Sequence, residues 1–197
     1  MTLASLRCFA LLAACLPLAI PTAAALTPDD PQRPPLRQCE PAPEADCRNA
    51  DLRFASLAGR DLRGADFRGA DLTRADLRRA NLVGADFSEA IAIGTDFSQA
   101  YLASALFNQA DLTGAAFESA RMSKSSFDGA NLRGANLSGA WAIGARFVGA
   151  RLDAADAQET KFSNATFERA SMHGTKIRFA LFADAYFRDC SGCPVDW

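Results

Sequence analysis

Histidine is almost absent from this chain: His173 is the only one among 197 residues. Catalysis by a serine or cysteine nucleophile normally needs a neighbouring base, most often histidine. His173 follows Met172 and has no cysteine or second histidine near it in the sequence. We therefore interpret His173 as a surface residue, and we predict no enzyme activity, no catalytic residue, no metal site and no cofactor.

The chain also has little net charge. The formal charge is −2; residues 51–100 carry eight acidic and seven basic side chains, and residues 151–197 carry seven and six. The electrostatic field of such a mixed surface is weak at the range where nucleic acids are attracted. The composition therefore argues against nucleic-acid binding and against mimicry of DNA.

A long apolar run is missing as well. The apolar stretch at residues 8–20 is short for a membrane span of about 20 residues, and Pro17 interrupts it. Arg7 precedes the stretch and alanines follow it up to Ala25. This pattern predicts a signal peptide over residues 1–25, so the protein is expected to be periplasmic or secreted.

Two other outcomes for the N-terminus stay open. Leu12-Ala13-Ala14-Cys15 resembles a bacterial lipoprotein cleavage box, although the residues after it remain apolar. An uncleaved segment would act as an anchor. Membrane contact is expected only if the N-terminus is retained in one of these two ways.

What the chain does contain is a strict five-residue repeat. An apolar residue, called here the centre of its unit, occupies every position ending in 2 or 7 from Leu52 to Phe187, which makes 28 units, and it is bulky in 25 of them. The residue two places before the centre is small, and it is alanine in 23 of the 28 units. On a helix, five residues turn a side chain about 500°, so the centres would scatter. On a strand they would alternate between faces, so the chain is expected to turn once per unit and form a coil with flat sides.

Phenylalanine recurs at every fourth centre. The positions are Phe67, Phe87, Phe107, Phe127, Phe147, Phe167 and Phe187. This 20-residue period predicts four sides per turn and about seven coils. Coils about 4.8 Å apart would let the rings of successive coils touch.

The units resemble the A(D/N)LXX signature of the pentapeptide-repeat family, as in Ala65-Asp66-Phe67-Arg68-Gly69. The resemblance covers about two thirds of the chain. It implies an all-β fold, a right-handed quadrilateral β-helix, and the handedness rests on the resemblance alone. The predicted organisation is a signal peptide at 1–25, a proline-rich linker and N-terminal cap at 26–49, the β-helix at 50–189 and a C-terminal cap at 190–197.

Four cysteines follow the predicted signal peptide: Cys39, Cys47, Cys190 and Cys193. An even number in an oxidising compartment favours disulfides. One pair precedes the first coil and the other follows the last, and a rod of roughly 34 Å excludes pairing between its ends. We predict Cys39–Cys47 and Cys190–Cys193, with Trp197 in the C-terminal lid. A redox pair, or a metal site shared between two rods, is the alternative for the second pair.

Outside the predicted interior, most charged side chains form ladders of aspartate before the centre and arginine after it, which favours solvated faces. One column differs. It contains Asp61, Asn81, Tyr101, Arg121, Trp141, Lys161 and Leu181. Exposed Trp and Tyr between cations suit a sugar ring, a peptide or a protein contact. The candidate binding surface consists of Tyr101, Arg121, Trp141, Ile143 and Lys161; alternatively, the two cations only cover the exposed rings and keep the rod soluble.

Some units depart from the pattern. Ala92 and Ala142 are centres flanked by bulky apolar residues. Because alanine leaves space in the interior, we expect either that the backbone shifts inward there or that an outward side chain turns into the interior. Ala157 is a third small centre. Arg60 occupies the position two places before a centre, where the other units carry a small residue. Either the first coil is splayed there or the Arg60 side chain turns outward.

The leading functional hypothesis is a non-enzymatic scaffold or binding module of the bacterial cell envelope. An envelope protein or a glycan is the expected class of partner. The alternative is a structural rod that serves as a spacer or self-associates through a terminal coil into a homodimer.

Overall fold

The computed structural model describes residues 38–194. The predicted signal peptide, most of the proline-rich linker and Trp197 lie outside these residues. Between residues 38 and 194 there is no helix and no strand longer than one bridge residue. One residue of each unit forms a parallel bridge with the residue 20 positions further along, from Asp46 with Asp66 to Ser171 with Ser191. Four units therefore complete one turn, as the 20-residue period predicted.

The four sides of the rod are numbered here by their centres in one coil. Side 1 contains Phe67, side 2 Leu72, side 3 Leu77 and side 4 Leu82. Each side continues with the residues 20 positions before and after these centres. The fold is a right-handed quadrilateral β-helix.

Backbone hydrogen bonds join each coil to its neighbours. The amide of Leu72 donates to the carbonyl of Ile91 at 2.7 Å, and the amide of Ile91 donates to the carbonyl of Ala70 at 2.9 Å. The same two bonds recur in unit after unit. Since a unit contacts only the adjacent coils, the stability of the rod is a sum over neighbouring coils.

Each unit ends in a tight turn. The amide of Ala75 donates to the carbonyl of Leu72 at 2.8 Å, and Arg74 between them has a φ of 58°. Every position ending in 4 or 9 from Glu44 to Asp189 has a positive φ, and 18 of these residues are not glycine. A side chain in this left-handed region costs about 1–2 kcal/mol. The burial of the interior has to offset that cost at most corners.

The centres and the small residues fill the interior, and the predicted aromatic column on side 1 is confirmed. From Phe67 to Phe187 successive rings stack face to face, with centroids 4.8 to 5.0 Å apart. The ring of Phe107 also meets Phe97 of side 3 edge to face, at 5.6 Å. Three polar side chains at small positions are fully buried, and each hydroxyl donates to a carbonyl of the preceding coil: Thr95 to Leu72, Ser125 to Leu102 and Thr160 to Leu137.

The two alanine centres with apolar neighbours differ: Ile91 beside Ala92 is buried, only 2% exposed, whereas Ala142 shows no such burial of its neighbours. The amide of Ala92 donates to the carbonyl of Asp111 at 2.8 Å, so the backbone keeps its normal spacing. Beside Ala92, the rings of Phe87 and Phe97 meet edge to face at 5.6 Å and occupy the interior. At Ala142 the flanking Trp141 and Ile143 stay outside, 45% and 37% exposed.

Of the two alternatives for Arg60, the outward one is observed. Its guanidinium donates to the carbonyl of Pro41 at 3.1 Å, and Arg60 is exposed. Its amide keeps the normal turn bond to the carbonyl of Leu57 at 3.2 Å. The coil is therefore not splayed at this position.

The coil begins before the boundary predicted at residue 50. Asp46 already bridges to Asp66, and Cys47 occupies a centre position with no exposed surface. The coil therefore begins within the range predicted as linker and cap, because a compact sulfur can fill the interior as an apolar centre does. Pairing also extends past residue 189, since Ser191 bridges to Ser171.

A disulfide lies at each end of the described coil. Cys39 is joined to Cys47, with Cα atoms 5.3 Å apart, and Cys190 to Cys193, with Cα atoms 5.8 Å apart. Cys47 and Cys190 occupy inward positions of their units. Each bridge therefore ties the chain that enters or leaves the coil to the coil itself.

Candidate functional site

The predicted basic and aromatic residues stand next to one another on side 4. Tyr101 bridges to Arg121, Arg121 to Trp141 and Trp141 to Lys161, so each residue lies one coil from the next. The four side chains are called here the basic–aromatic column. They occupy the position directly before the centre, which the coil directs outward.

Cations cover the ring faces within this column. The Arg121 guanidinium lies 5.1 Å from the centroid of the Tyr101 ring and 5.9 Å from that of Trp141. The ammonium of Lys161 lies 3.9 Å from the Trp141 centroid. Tyr101 and Trp141 are nevertheless 44% and 45% exposed. Because the faces point along the rod towards the cations, the solvent meets mainly the edges of the rings.

The other predicted residues of this surface differ in their environment. Ile143 is two residues from Trp141 and is 37% exposed, and Leu181, which bridges to Lys161, is 54% exposed. Asp61, at the other end of the column, is held by Arg63 through two hydrogen bonds of 2.9 and 2.7 Å. The apolar extension is thus open, whereas the acidic one is already engaged.

A groove of about 570 Å³ runs beside the column at the corner between sides 3 and 4. Its walls are Tyr101, Arg121 and Trp141 on side 4 and the corner residues Arg79, Gln99 and Ser119. The Nε of Arg79 donates to the side-chain oxygen of Gln99 at 3.0 Å. These corner residues were not predicted from the sequence, because they do not occupy the position before a centre. All three lie two residues after a centre of side 3, so a column taken at that position in steps of 20 residues contains them.

Most arginines on the first coils pair with the aspartate two residues before them. Arg68 donates to both carboxylate oxygens of Asp66, at 2.9 and 2.6 Å, and approaches Asp86 at 3.8 Å. The hydrogen bond from Arg68 lowers the pKa of Asp66, and the corresponding bond from Arg78 lowers that of Asp76. These carboxylates therefore stay ionised, and the ladders predicted from the sequence pair both within a unit and between coils.

The cations beside the groove have no such neighbour. Among residues 38–194, no carboxylate lies within ion-pairing distance of Arg79, Arg121 or Lys161. Contact with a ring stabilises a cation but does not neutralise its charge. Side 4 therefore carries a local positive charge on a chain whose formal charge is −2.

Within residues 38–194, His173 is not arranged as a base beside a nucleophile. His173 is exposed, and its backbone amide donates to Asp153 at 3.1 Å; the Ser171 hydroxyl bonds to the same carboxylate. In the described part of the chain, the imidazole is not hydrogen-bonded to any hydroxyl. Residues 38–194 also hold no cluster of three or more side chains arranged to bind a metal ion. The same span has no helix with the length and apolar character needed to cross a membrane.

Comparisons with known proteins agree with the repeat. The family model described as pentapeptide repeats matches residues 45–82, 80–118, 110–147 and 145–189. A search of curated proteins finds no match. Among solved structures, HetL, a pentapeptide repeat protein involved in heterocyst differentiation regulation in the cyanobacterium Nostoc, is 20% identical with a TM-score of 0.41. That alignment covers 72% of this chain and 89% of HetL.

Two further solved structures are similar. QnrB1, a plasmid-mediated fluoroquinolone resistance protein, is 21% identical with a TM-score of 0.49, over 72% of this chain and 69% of QnrB1. A pentapeptide repeat protein from the thylakoid lumen of Arabidopsis thaliana is 33% identical with a TM-score of 0.24, over 44% of this chain and 57% of its own. The family model spans most of the chain from residue 45 to residue 189. The protein therefore belongs to the pentapeptide-repeat family.

Proposed function

We propose that this protein is an exported, non-enzymatic scaffold of the bacterial cell envelope that binds another protein on side 4. The observation that carries this proposal is the basic–aromatic column beside an open groove. Its cations have no carboxylate partner in the described chain, and its rings expose their edges. Tyrosine, tryptophan and arginine are the side chains that dominate the energetics of protein interfaces.

Export is supported by the N-terminal sequence and by the cysteines. Residues 1–25 have the features of a signal peptide. Both cysteine pairs are joined as disulfides in the structure, and structural disulfides persist mainly in oxidising compartments. A periplasmic or secreted location satisfies both observations.

A protein partner is favoured over a glycan by the orientation of the rings. Sugar rings bind aromatic side chains by stacking on the ring face. On side 4 the Arg121 and Lys161 side chains lie over those faces, at 5.1 Å from Tyr101 and 3.9 Å from Trp141. A protein can instead use the cations and the exposed ring edges without displacing either.

Affinity capture from envelope extract tests the proposal. The exported protein serves as bait, in the natural form and as a Tyr101→Ala/Trp141→Ala double variant. The control is Leu106→Ala/Tyr186→Ala, which removes two exposed apolar side chains from side 1, 37% and 50% exposed. We expect the partner to be lost only from the side 4 variant, because both variants keep the interior intact. Equal capture by all three baits would contradict the proposal.

Self-association is the second candidate, and one observation favours it. The last coil exposes apolar side chains: Phe179 is 67% and Leu181 54% exposed, beside a recess of about 590 Å³ that Phe182 and Pro194 line. If the bait retrieves mainly further copies of its own chain, and all three baits do so equally, the structural-rod function replaces the proposed one.

A further inference from the structure

Three cations follow a regular spacing along the rod: Arg79 at the corner, and Arg121 and Lys161 on side 4. Arg121 and Lys161 are 40 residues, hence two coils, apart, and Arg79 stands about two coils before Arg121 across the corner. One coil advances 4.8 to 5.0 Å, measured between the stacked rings of side 1. Successive cations are therefore separated by about 10 Å along the axis.

The coils between the cations supply the aromatic residues. Tyr101 lies in the coil between Arg79 and Arg121, and Trp141 lies in the coil between Arg121 and Lys161. A cation and an aromatic edge thus alternate about every 5 Å along the groove. Several of the side chains around them are small. They include Ala103, Ser119, Ser123, Gly139 and Gly144.

The charge of this face is suited to an acidic ligand. Lys124 adds a further cation to side 4. Of the acids on or beside this face, Asp61 is held by Arg63, and Glu118 and Glu159 make no ion pair with Arg121 or Lys161 in the described structure. Charge complementarity therefore requires carboxylates, or equivalent anions, at a separation of about 10 Å.

An extended peptide can meet this spacing in only one regular conformation. In a β-strand, side chains on one face recur after two residues, at about 6.6 Å. In a polyproline II helix they recur after three residues, at about 9.3 Å. Over the distance from Arg79 to Lys161 the polyproline II spacing differs from that of the cations by only about 1–2 Å, which long basic side chains can accommodate. Aromatic-lined grooves are also a general means of binding polyproline II segments.

We propose that side 4 binds a polyproline II segment of a partner protein that carries an acidic residue at every third position. The segment lies along the rod axis beside the basic–aromatic column. Its carboxylates pair with Arg79, Arg121 and Lys161, and its intervening residues pack against the edges of Tyr101 and Trp141. This inference rests on the proposed function, because it specifies the ligand of the same face.

A fluorescent peptide of about four Glu-Pro-Pro repeats tests this ligand class by fluorescence anisotropy with the exported protein at low ionic strength. The comparison probes are a Lys-Pro-Pro peptide, a peptide of identical composition with its glutamates adjacent, and an oligogalacturonate. We expect the Glu-Pro-Pro peptide to bind more tightly than all three. Equal binding of the two acidic peptides would overturn the spacing argument, and tighter binding of the oligogalacturonate would overturn the choice of a peptide.

Matched protein variants locate the contact. Arg121→Gln is expected to weaken binding of the Glu-Pro-Pro peptide about fivefold. Arg133→Gln on side 2, an exposed arginine without an ion pair in the described structure, is expected to change nothing. Equal effects of the two substitutions would show that binding depends only on the net charge of the protein, and this would overturn the proposal.

The chain itself contains another possible occupant, Pro28-Asp29-Asp30-Pro31, which lies outside the described residues. If Asp29→Asn/Asp30→Asn tightens peptide binding, the groove is assigned to this segment and not to a partner.

The ligand class and the proposed function can fail separately. Capture that depends on Tyr101 and Trp141 without peptide binding removes only the ligand class, whereas equal capture by every bait removes the function.

Discussion

Two aromatic columns run along this rod, one inside and one outside. The inner column, on side 1, stacks ring upon ring in every coil at 4.8 to 5.0 Å, and its rings from Phe67 to Phe167 are fully buried. The outer column, on side 4, has aromatic residues only in alternate coils. There Tyr101 and Trp141 are separated by Arg121, and about 44–45% of each is exposed.

The two columns share one backbone period but differ in what their side chains contact. A buried ring gains from the loss of apolar surface and from contact with its neighbours. A ring between exposed cations gains much less, and the cations keep their charge available to a ligand. The inner column therefore supports the fold, whereas the outer column is free to serve binding. Three predictions test this division, from the largest expected effect to the smallest.

Removing a ring from the inner column should be the most damaging change. Phe107→Ala deletes a ring that stacks on Phe87 and Phe127 at 4.8 and 4.9 Å. We expect the free energy of unfolding to fall by about 3–5 kcal/mol, because the rigid coils cannot close the cavity. Urea unfolding followed by circular dichroism measures this. Leu106→Ala, the adjacent outward residue, is the control, and a similar loss in both variants would show that side 1 does not depend on its interior column.

Removing a ring from the outer column should cost far less stability. Trp141→Ala ends the contacts with Arg121 and Lys161 and is expected to lower the free energy of unfolding by about 1 kcal/mol. The same urea experiment measures it beside Phe107→Ala. A decrease in the free energy of unfolding as large as that of Phe107→Ala would mean that the outer column supports the fold, and it would contradict its assignment as a binding face.

Acid should distinguish the paired charges from the cations of side 4. Hydrogen bonds from Arg68 and Arg78 lower the pKa of Asp66 and Asp76 in the fold. Their contribution is therefore fully present above the unfolded pKa of about 4 and is lost as the pH falls through the lower folded values. We expect a small decrease in the urea midpoint below about pH 4. Asp66→Asn/Asp76→Asn should reduce this decrease, and Trp141→Ala should leave it unchanged; the opposite result would place the acid-sensitive contacts on side 4.

Much of this architecture could be predicted because one short repeat controls it. The five-residue period excluded both regular elements, and the phenylalanine at every fourth centre predicted four sides and the stacked inner column. The period also predicted that Tyr101, Arg121, Trp141 and Lys161 share one side, and that this side binds a ligand stays a prediction. The start of the coil was missed because Cys47 is not a typical centre, and the groove was missed because Arg79, Gln99 and Ser119 belong to the corners.

The corner conformation was not visible in the composition. A positive φ favours glycine, yet Arg74, Arg79 and most other corner residues are not glycine. Local preference would have argued against tight turns at these positions. The hydrogen bonds and burial of neighbouring coils decide the conformation there, because they outweigh a local cost of about 1–2 kcal/mol.

The sequence alone determined which residues face inward and which outward, since a strict period leaves each position only one side of a turning chain. The tertiary structure alone decided how the outward residues meet. Coils about 5 Å apart bring residues 20 positions apart into contact, and this contact places Arg121 over Tyr101 and Lys161 over Trp141. It also brings Asp86 within 3.8 Å of Arg68 while leaving Arg121 without a carboxylate in the described structure. Charge pairing between coils depends on the distances between them, and those distances are a property of the folded rod.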